Sequence, residues 1–249
     1  MSIRFKITKG YEALQPFIKT LPECFEKEGK TIYKGRNTVK VMEVNGSKLN
    51  VKRFLIPSLS ERIKRSYFRS SKCREAYFNA WKLLKKGFDT PHPIAYVEER
   101  KVGLIGYSYF ISSQSSYPRT FYEFEECEIE DCKDVIVSFA RYTARLHEAG
   151  FLHKDYSPGN ILFDYINGAY RFTLVDVNRM KFGKVSIKEG CKNFRKLWGK
   201  KEFFSLLASE YAKMREFDEK ECMDLIWTEW QKFSEKRMSR YNDKWNVVQ

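Results

Sequence analysis

The chain has 249 residues, 43% of them hydrophobic, which is enough apolar material for a buried core. Lys and Arg number 46 against 32 Asp and Glu, so the formal net charge is +14. These values exclude a disordered, collagen-like or coiled-coil chain, and a charge of this sign suits a nucleic acid, an anionic membrane surface or a phosphorylated substrate.

The excess of positive charge lies in the first two-fifths of the chain. Residues 1–105 carry 23 basic and 10 acidic side chains, a net charge of +13, whereas residues 106–249 carry 23 and 22, a net charge of +1. The total charge does not choose among the three kinds of partner, but its distribution assigns the excess to one part of the fold.

Cysteine usage and the lack of long apolar runs indicate the compartment. The six cysteines are scattered without a CxxC pair, and only three histidines are available, which argues against a zinc site. The first residues contain no apolar run of signal-peptide length, and nowhere do 18 apolar residues occur together. We therefore expect a cytoplasmic protein whose thiols are reduced and mostly buried.

The first third of the chain predicts an antiparallel sheet. Residues 31–35 and 38–44 are rich in β-branched types and flank a short turn that contains Gly35. The Asn-Gly pair at 45–46 is a hairpin signal, so residues 48–55 are predicted to form a third strand.

A helix and two more strands complete the predicted first lobe. Residues 60–86 have apolar side chains at helical spacing, and the serine pair at 70–71 weakens this helix in the middle. Residues 94–97 and 102–110 are predicted strands, joined by a charged Glu-Glu-Arg-Lys turn. The first lobe, residues 1–111, is thus predicted to be a small antiparallel sheet with one helix.

The second lobe, residues 112–249, is predicted to be larger and mainly helical. Its predicted elements are a polar linker at 112–118, a helix over 134–150 that ends at Gly150, short strands at 161–164 and 171–175, and helices within 191–245. The whole chain therefore predicts an α+β fold with two lobes.

The sequence His-Lys-Asp-Tyr-Ser-Pro-Gly-Asn stands at 153–160, after the predicted helix and before a predicted strand. It matches the catalytic loop of kinases, in which the Asp accepts or orients the proton of the attacking hydroxyl and the Asn five positions later binds a magnesium ion. Asp155 and Asn160 occupy those two positions. His153 is the candidate loop histidine, a residue that more often braces such a loop than transfers protons.

Three further residues extend the kinase pattern. Asp176 ends a predicted strand sixteen residues after Asn160, where a kinase carries its second metal-binding Asp. Lys52 stands toward the end of the third predicted strand, where a kinase carries its phosphate-binding Lys, and Glu75 follows in the helix as its expected ion-pair partner. Chance produces the loop motif alone far more readily than this combination, which predicts a kinase-like fold.

On these residues the chain resembles the protein-kinase-like superfamily, and within it the bacterial lipopolysaccharide core kinases that act on Kdo or heptose. The resemblance implies ATP and Mg²⁺ as cofactors and transfer of the γ-phosphoryl group to a sugar hydroxyl of the lipopolysaccharide inner core. It also implies Asp155 as the base, Lys52 with Glu75 at the α and β phosphates, and Asn160 with Asp176 at the magnesium ion.

The sequence departs from the protein kinase pattern in ways that bear on the substrate. The loop expected to cover the nucleotide has Gly35 as its one glycine, so we expect Arg36 or Asn37 to replace part of the backbone contact to the phosphates. Ser157 stands where protein kinases usually carry a Lys, residues 177–179 are Val-Asn-Arg, and no Ala-Pro-Glu motif follows. These departures favour a glycolipid acceptor. The alternatives are an atypical Ser/Thr or Tyr protein kinase and a non-catalytic pseudokinase that acts as a binding module.

The basic charge of the first lobe is densest between Lys52 and Arg74, where eight basic residues accompany Glu61 alone. Each basic residue near an anionic leaflet contributes about 1 kcal/mol of attraction. We therefore expect peripheral contact with the inner face of the bacterial inner membrane, beside a lipid-anchored acceptor. No nucleic-acid recognition motif accompanies the charge, so nucleic acid is not expected as a partner.

Overall fold

The computed structural model describes residues 2–246, with side chains described as far as Arg237. The chain divides into two compact units. The first unit contains the residues up to Ser116 together with Asp176–Arg179, and the second contains Tyr117–Val175 and the chain from Met180 onward.

The first unit is built on a six-stranded antiparallel sheet with the strand order β1-β5-β6-β4-β3-β2. Its elements in chain order are β1 (Ser2–Ile7), α1 (Gln15–Cys24), β2 (Lys30–Lys34), β3 (Thr38–Val44), β4 (Ser47–Phe54), α2 (Leu59–Tyr67), α3 (Lys72–Lys85), β5 (Pro93–Lys101) and β6 (Leu104–Ser113).

Alternation along the strands sends side chains into two hydrophobic clusters. Leu49 and Val51 of β4 join the cluster that contains the buried residues of α1, whereas Phe54 packs with the buried residues of α3. Side chains two residues apart in a strand share a face. Lys52 therefore leaves the sheet on the same side as Phe54, and its Nζ lies 5.3 Å from the centre of the Phe54 ring.

The predicted α+β class is confirmed, but the first unit has three helices instead of the predicted one. The predicted helix over 60–86 is two helices, and the break lies at the serine pair that the sequence indicated, where Ser71 caps the second helix by accepting a hydrogen bond from Arg74 N at 3.4 Å. The helix α1 was missed because Pro16 and Pro22 obscure its apolar pattern, although Pro16 stands in the first turn, where proline is tolerated.

The predicted charged turn at 98–101 is wrong, because these residues belong to β5. Glu98 and Arg100 are 1% and 8% exposed and form an ion pair at 2.9 Å, so two neighbouring charges are buried together. Ser71 Oγ also donates to Glu98 at 2.5 Å. The chain turns instead at Val102 and Gly103, both of which have positive φ angles, 50° and 75°.

In the residues that the structure describes, the second unit combines four helices with two small antiparallel sheets, which have the strand orders β10-β9-β7 and β11-β8. Its elements are β7 (Arg119–Thr120), α4 (Ile129–Glu148), β8 (Phe151–His153), β9 (Ile161–Ile166), β10 (Ala169–Leu174), β11 (Met180–Phe182), α5 (Ile187–Asn193), α6 (Lys201–Arg215) and α7 (Glu219–Asn246).

Aromatic side chains form the centre of the second unit. Phe139 of α4 is fully buried and lies 4.2 Å from Phe121 and 5.6 Å from Tyr156 between ring centres. The predicted helix end is confirmed, since α4 stops one residue before Ala149 and Gly150 follows at a φ of 80°. The catalytic-loop sequence thus starts from a helix that the core holds rigidly.

All six cysteines are free, and the four buried ones are Cys73, Cys132, Cys191 and Cys222. None of the helices described between residues 2 and 246 is both long enough and apolar enough to cross a membrane.

Candidate active site

Lys52 and Asp176 meet in the first unit although 124 residues separate them in the sequence. Lys52 Nζ lies 2.6 Å from Asp176 Oδ1, and the two side chains are 14% and 21% exposed. This partial exposure leaves both groups accessible to a ligand. The sequence placed both residues in the candidate site, and the structure brings them into direct contact.

Asp176 has a strained backbone. Its φ is 57°, a left-handed value that side-chain-bearing residues seldom adopt, and such outliers cluster at functional sites. The turn that follows is held in the first unit, where Asn79 Nδ2 donates to Val177 O at 2.9 Å. The tertiary structure therefore imposes the position of the Asp176 carboxylate.

Glu75 does not form the predicted ion pair with Lys52. Its carboxylate lies 3.5 Å from Arg65 Nη1, while Lys52 pairs with Asp176. Burial raises the pKa of Glu75, and the neighbouring Arg65 opposes that shift. Glu75 pairs with Arg65 instead of Lys52 because α2, which carries Arg65, is a separate helix that places a guanidinium beside the start of α3.

The turn between β2 and β3 contains the residues expected to approach the phosphates. Gly35 N donates to Asn37 O at 3.0 Å, and Asn37 Oδ1 accepts from Leu55 N at 3.3 Å, which ties the turn to the end of β4. A Cβ atom at Gly35 would lie 2.6 Å from Tyr33 Oη, so glycine lets that ring lie over the turn. Arg36 is exposed.

Lys72 and Arg179 stand near Arg36, and Lys72 belongs to the basic stretch between Lys52 and Arg74 that the sequence already singled out. Burial lowers the pKa of Lys72, and Arg36, Arg65 and Arg179 lower it further by repulsion. Like charges gathered in this way have an affinity for an anion such as a phosphate group. The sequence gives little indication that these residues lie together, because they come from a turn, two helices and the segment after Asp176.

The catalytic loop lies in the second unit and is held by hydrogen bonds within itself. Asn160 Nδ2 donates to Asp155 O at 2.8 Å and to Ser157 Oγ at 3.2 Å. Asn160 O in turn accepts from Val175 N at 3.0 Å, which fixes the loop to the end of the strand before Asp176.

His153 braces this loop. The ring is fully buried, its Nε2 lies 3.0 Å from Val175 O, and its Nδ1 accepts a hydrogen bond from Asp155 N at 3.1 Å. These partners imply a neutral ring protonated at Nε2. We therefore describe His153 as a positioning residue for Asp155.

Asn160 in the second unit and Asp176 in the first unit each carry an oxygen atom of a kind that suits a magnesium ion. Mg²⁺ binds one or two protein oxygen ligands and completes its shell with water and phosphate oxygens. Asp176 offers a carboxylate, and the Asn160 amide uses its nitrogen for both loop hydrogen bonds, so that its oxygen is the atom left for a cation. Within the described part of the chain, no three His, Cys, Asp or Glu residues form a metal-binding group.

A family model described as the lipopolysaccharide kinase (Kdo/WaaP) family matches residues 25–228. The chain belongs to this family. Comparison with curated protein sequences finds no match. A similar solved structure is that of WaaP in complex with acyl carrier protein, with a TM-score of 0.63 and 15% identity over 92% of this chain and 99% of that chain. At this identity the likeness concerns the fold.

Membership of the Kdo/WaaP family confirms the predicted resemblance and the enzyme class. The matched range contains all the candidate site residues, from Gly35 to Asp176. The chain is thus a phosphotransferase of lipopolysaccharide core biosynthesis, with a sugar hydroxyl as acceptor. The protein kinase and pseudokinase alternatives gain no support from the comparisons.

In this Kdo/WaaP kinase, Asp155 has a basic partner that the motif did not reveal. Lys196 Nζ lies 2.5 Å from Asp155 Oδ1, and the side chains are 23% and 17% exposed. Lys196 belongs to a single helical turn, Phe194–Lys196, that follows α5. Two other basic residues of the same segment, Lys192 and Arg195, pair instead with Glu229.

Proposed function

We propose that this kinase transfers the γ-phosphoryl group of ATP to a hydroxyl of a Kdo or heptose sugar in the lipopolysaccharide inner core. The observation that carries the proposal is the Lys52–Asp176 ion pair at 2.6 Å, which joins the two charged residues that a kinase places at the nucleotide. Family membership supports the acceptor class.

The first unit would bind the phosphates. Lys52 would neutralise the α and β phosphates, with Arg36, Lys72 and Arg179 supplying further positive charge. Asp176 would hold a magnesium ion, whose charge would offset that of the phosphate oxygens, and the Asn160 oxygen of the second unit stays the other predicted magnesium ligand. Glu75 would support the phosphate site only indirectly, because its carboxylate contacts Arg65 while Lys52 pairs with Asp176.

The second unit would act on the acceptor. Asp155 would accept the proton of the sugar hydroxyl while the sugar oxygen bonds to the γ-phosphorus and the bond to the β-phosphate oxygen breaks, releasing ADP. Lys196 would contact the transferred phosphoryl group. Many protein kinases use a Lys of the catalytic loop for this contact, and this chain has Ser157 at that loop position.

The proposal is tested by incubating the protein with magnesium ATP and deep-rough lipopolysaccharides, and following the mass of the acceptor. We expect a gain of one phosphate group. Asp155→Asn and Asp176→Asn should each lower the rate by at least about a thousandfold, whereas Asp164→Asn, a change of a half-buried carboxylate on β9, should not. Wild-type protein that modifies none of the acceptors would contradict the proposal.

We also place the enzyme at the cytoplasmic face of the inner membrane, and the exposed side of α2 supports this location. Leu59, Ile63 and Tyr67 follow one another at four-residue spacing and are 62%, 42% and 65% exposed, and the adjoining Phe68 is 80% exposed. We call these four residues the α2 stripe. An apolar stripe on the outside of a helix is the reverse of the usual arrangement.

The side of α2 that faces the sheet is polar. Arg62 Nε donates to Ile105 O at 2.7 Å, and Ser66 Oγ accepts from Ile105 N at 2.9 Å. Lys64, which lies within the same stretch of sequence, and Lys101, the last residue of β5, are both exposed. Apolar and aromatic side chains with basic neighbours are typical of a helix that lies in an anionic membrane interface.

Sedimentation with vesicles tests this location. Vesicles of phosphatidylglycerol and phosphatidylcholine should bind the protein in a salt-sensitive manner, and pure phosphatidylcholine should not. Ile63→Gln with Phe68→Gln should weaken binding by at least about tenfold. The control Tyr165→Gln, at a residue 58% exposed on β9, should not change it. Equal binding by the stripe variant, or binding to an acidic carrier protein without binding to vesicles, would contradict a membrane role.

A further inference from the structure

We propose that a cleft in the second unit, beside the catalytic loop, binds an acidic sugar of the acceptor. The inference rests on the proposed function, since it assigns that function's acceptor to particular residues. The cleft has a volume of about 130 Å³, and the side chains that matter for binding are Glu125, Arg195, Trp198, Trp230, Phe233 and Arg237.

The cleft is joined to the catalytic loop in two ways. Lys196, which contacts Asp155, stands in the chain between the lining residues Arg195 and Leu197. Tyr122 packs edge-on against Trp198 with ring centres 4.8 Å apart. A Cβ atom at Gly159 of the loop would lie 3.0 Å from the Tyr122 ring. A ligand in the cleft therefore lies beside residues that touch the loop carrying the base.

The aromatic walls of the cleft suit a sugar ring. Trp230 Nε1 donates to Leu197 O at 3.1 Å, and its ring stacks on Trp227 with centres 5.0 Å apart, so that the Trp230 ring is held in place. Sugars present faces of C–H groups that pack on aromatic rings, and binding pockets combine such surfaces with a few polar groups. Glu125 supplies a carboxylate that accepts hydrogen bonds from sugar hydroxyls.

The basic side chains of the cleft select a negatively charged substituent. The Arg237 guanidinium lies 4.2 Å from the centre of the Trp198 ring, a cation–π contact that restrains it at the rim. Arg195 Nη1 is 3.9 Å from Glu229, a long contact that leaves donors for a ligand. Guanidinium groups bind carboxylate and phosphate in a bidentate manner.

A carboxylate on Kdo and a phosphate on a neighbouring sugar present the same chemistry to these arginines, and direct binding distinguishes them. Titration of the full chain with free Kdo, mannose 6-phosphate and mannose, followed by tryptophan fluorescence and calorimetry, should show at least one acidic sugar binding about tenfold or more tightly than mannose. The acidic sugar that binds identifies the substituent. Equal binding of all three sugars, or none, would overturn the inference.

Variants assign the binding to the cleft. Arg237→Gln should weaken binding of the acidic sugar about tenfold, and Trp198→Leu should weaken binding of all sugars. The control Arg171→Gln changes an exposed arginine on β10 and should have no effect. Loss of binding in the control to the same extent as in Arg237→Gln would remove the cleft from consideration.

Kinetics separate this inference from the proposed function. Arg237→Gln should raise KM for the lipopolysaccharide acceptor about tenfold and leave kcat and KM for ATP unchanged. Phosphoryl transfer with an unchanged acceptor KM in this variant would overturn the cleft while the proposed function stands. Sugar binding at the cleft without phosphoryl transfer to any acceptor would instead contradict the proposed function alone.

Discussion

At the scale of single residues, the catalytic loop positions Asp155 through its backbone, while a distant residue balances its charge. His153 and Asn160 bond to the backbone of Asp155, and Lys196 contacts its carboxylate from 41 residues further along the chain. In the proposed mechanism, the positive charge of Lys196 would therefore stabilise the negative charge that develops on the transferred phosphoryl group.

Replacing Lys196 by Gln should lower kcat by about 100-fold with little change in KM for ATP, because the charge would act mainly in the transition state. Lys196→Arg should restore part of the activity. The measurement is a steady-state rate on lipopolysaccharide, and the matched control is Lys192→Gln, whose lysine pairs with Glu229 at 3.2 Å. Equal effects in Lys196→Gln and in the control would show a general effect of surface charge.

At the scale of elements, α5 approaches its neighbours so closely that it needs a glycine. A Cβ atom at Gly190 would lie 2.0 Å from Tyr211 Oη and 3.3 Å from His147 Nδ1. The Tyr211 hydroxyl cannot move freely, since it is 2.9 Å from His147 Nδ1 and accepts from Arg215 Nη1 at 2.9 Å. The close contact joins α5 to α4 and α6.

Gly190→Ala should therefore lower the free energy of unfolding by about 1–3 kcal/mol, although alanine is the better helix former. Urea unfolding measures the loss. In a Tyr211→Phe background the hydroxyl is absent, so the same substitution should cost less than it does in the wild type. A loss of equal size in both backgrounds would assign the effect to something other than this contact.

At the scale of the whole molecule, a buried histidine makes stability depend on pH. His147 is 1% exposed, and burial, with Arg215 nearby, lowers its pKa from 6.5 to about 3, while Asn193 opposes the shift. The unfolded chain therefore binds a proton at this histidine below about pH 6.5 and the folded chain does not. Since the unfolded state gains the proton, the folded state loses stability as the pH falls through that range.

We expect the free energy of unfolding to fall between pH 6.5 and pH 5 with a slope from His147 of at most about 1.4 kcal/mol per pH unit. His147→Gln should flatten that slope even where it lowers stability at every pH, and His92→Gln should not. Burial raises the pKa of Glu75 and Glu99, and their protonation in the folded state as the pH falls acts in the opposite direction, so the contribution of His147 is taken as the difference in slope between the wild type and His147→Gln. A slope unchanged in His147→Gln would contradict the assignment.

Much of the fold followed from local patterns. The strands β2 to β4 and β9 to β10 were predictable because turn residues and β-branched runs alternate in the sequence, and α4 was predictable because its apolar residues recur at helical spacing up to Gly150. The strand β1 and the buried end of β5 were not. The charged composition around Glu98 and Arg100 predicts a turn. Their burial is possible only because they pair with each other and because Glu98 also accepts a hydrogen bond from Ser71.

The sequence by itself predicted the residues of the proposed chemistry, because Asp155 and Asn160 belong to one short loop with the spacing of a kinase motif. Lys52 and Asp176 were predicted with them, because each stands in or just after a predicted strand where a kinase carries a charged residue. Only the tertiary structure decided the partners: Asp176 for Lys52, Arg65 for Glu75 and Lys196 for Asp155. The physical reason is that an ion pair depends on where two side chains meet in space, and no local periodicity records a contact between residues that lie tens of positions apart.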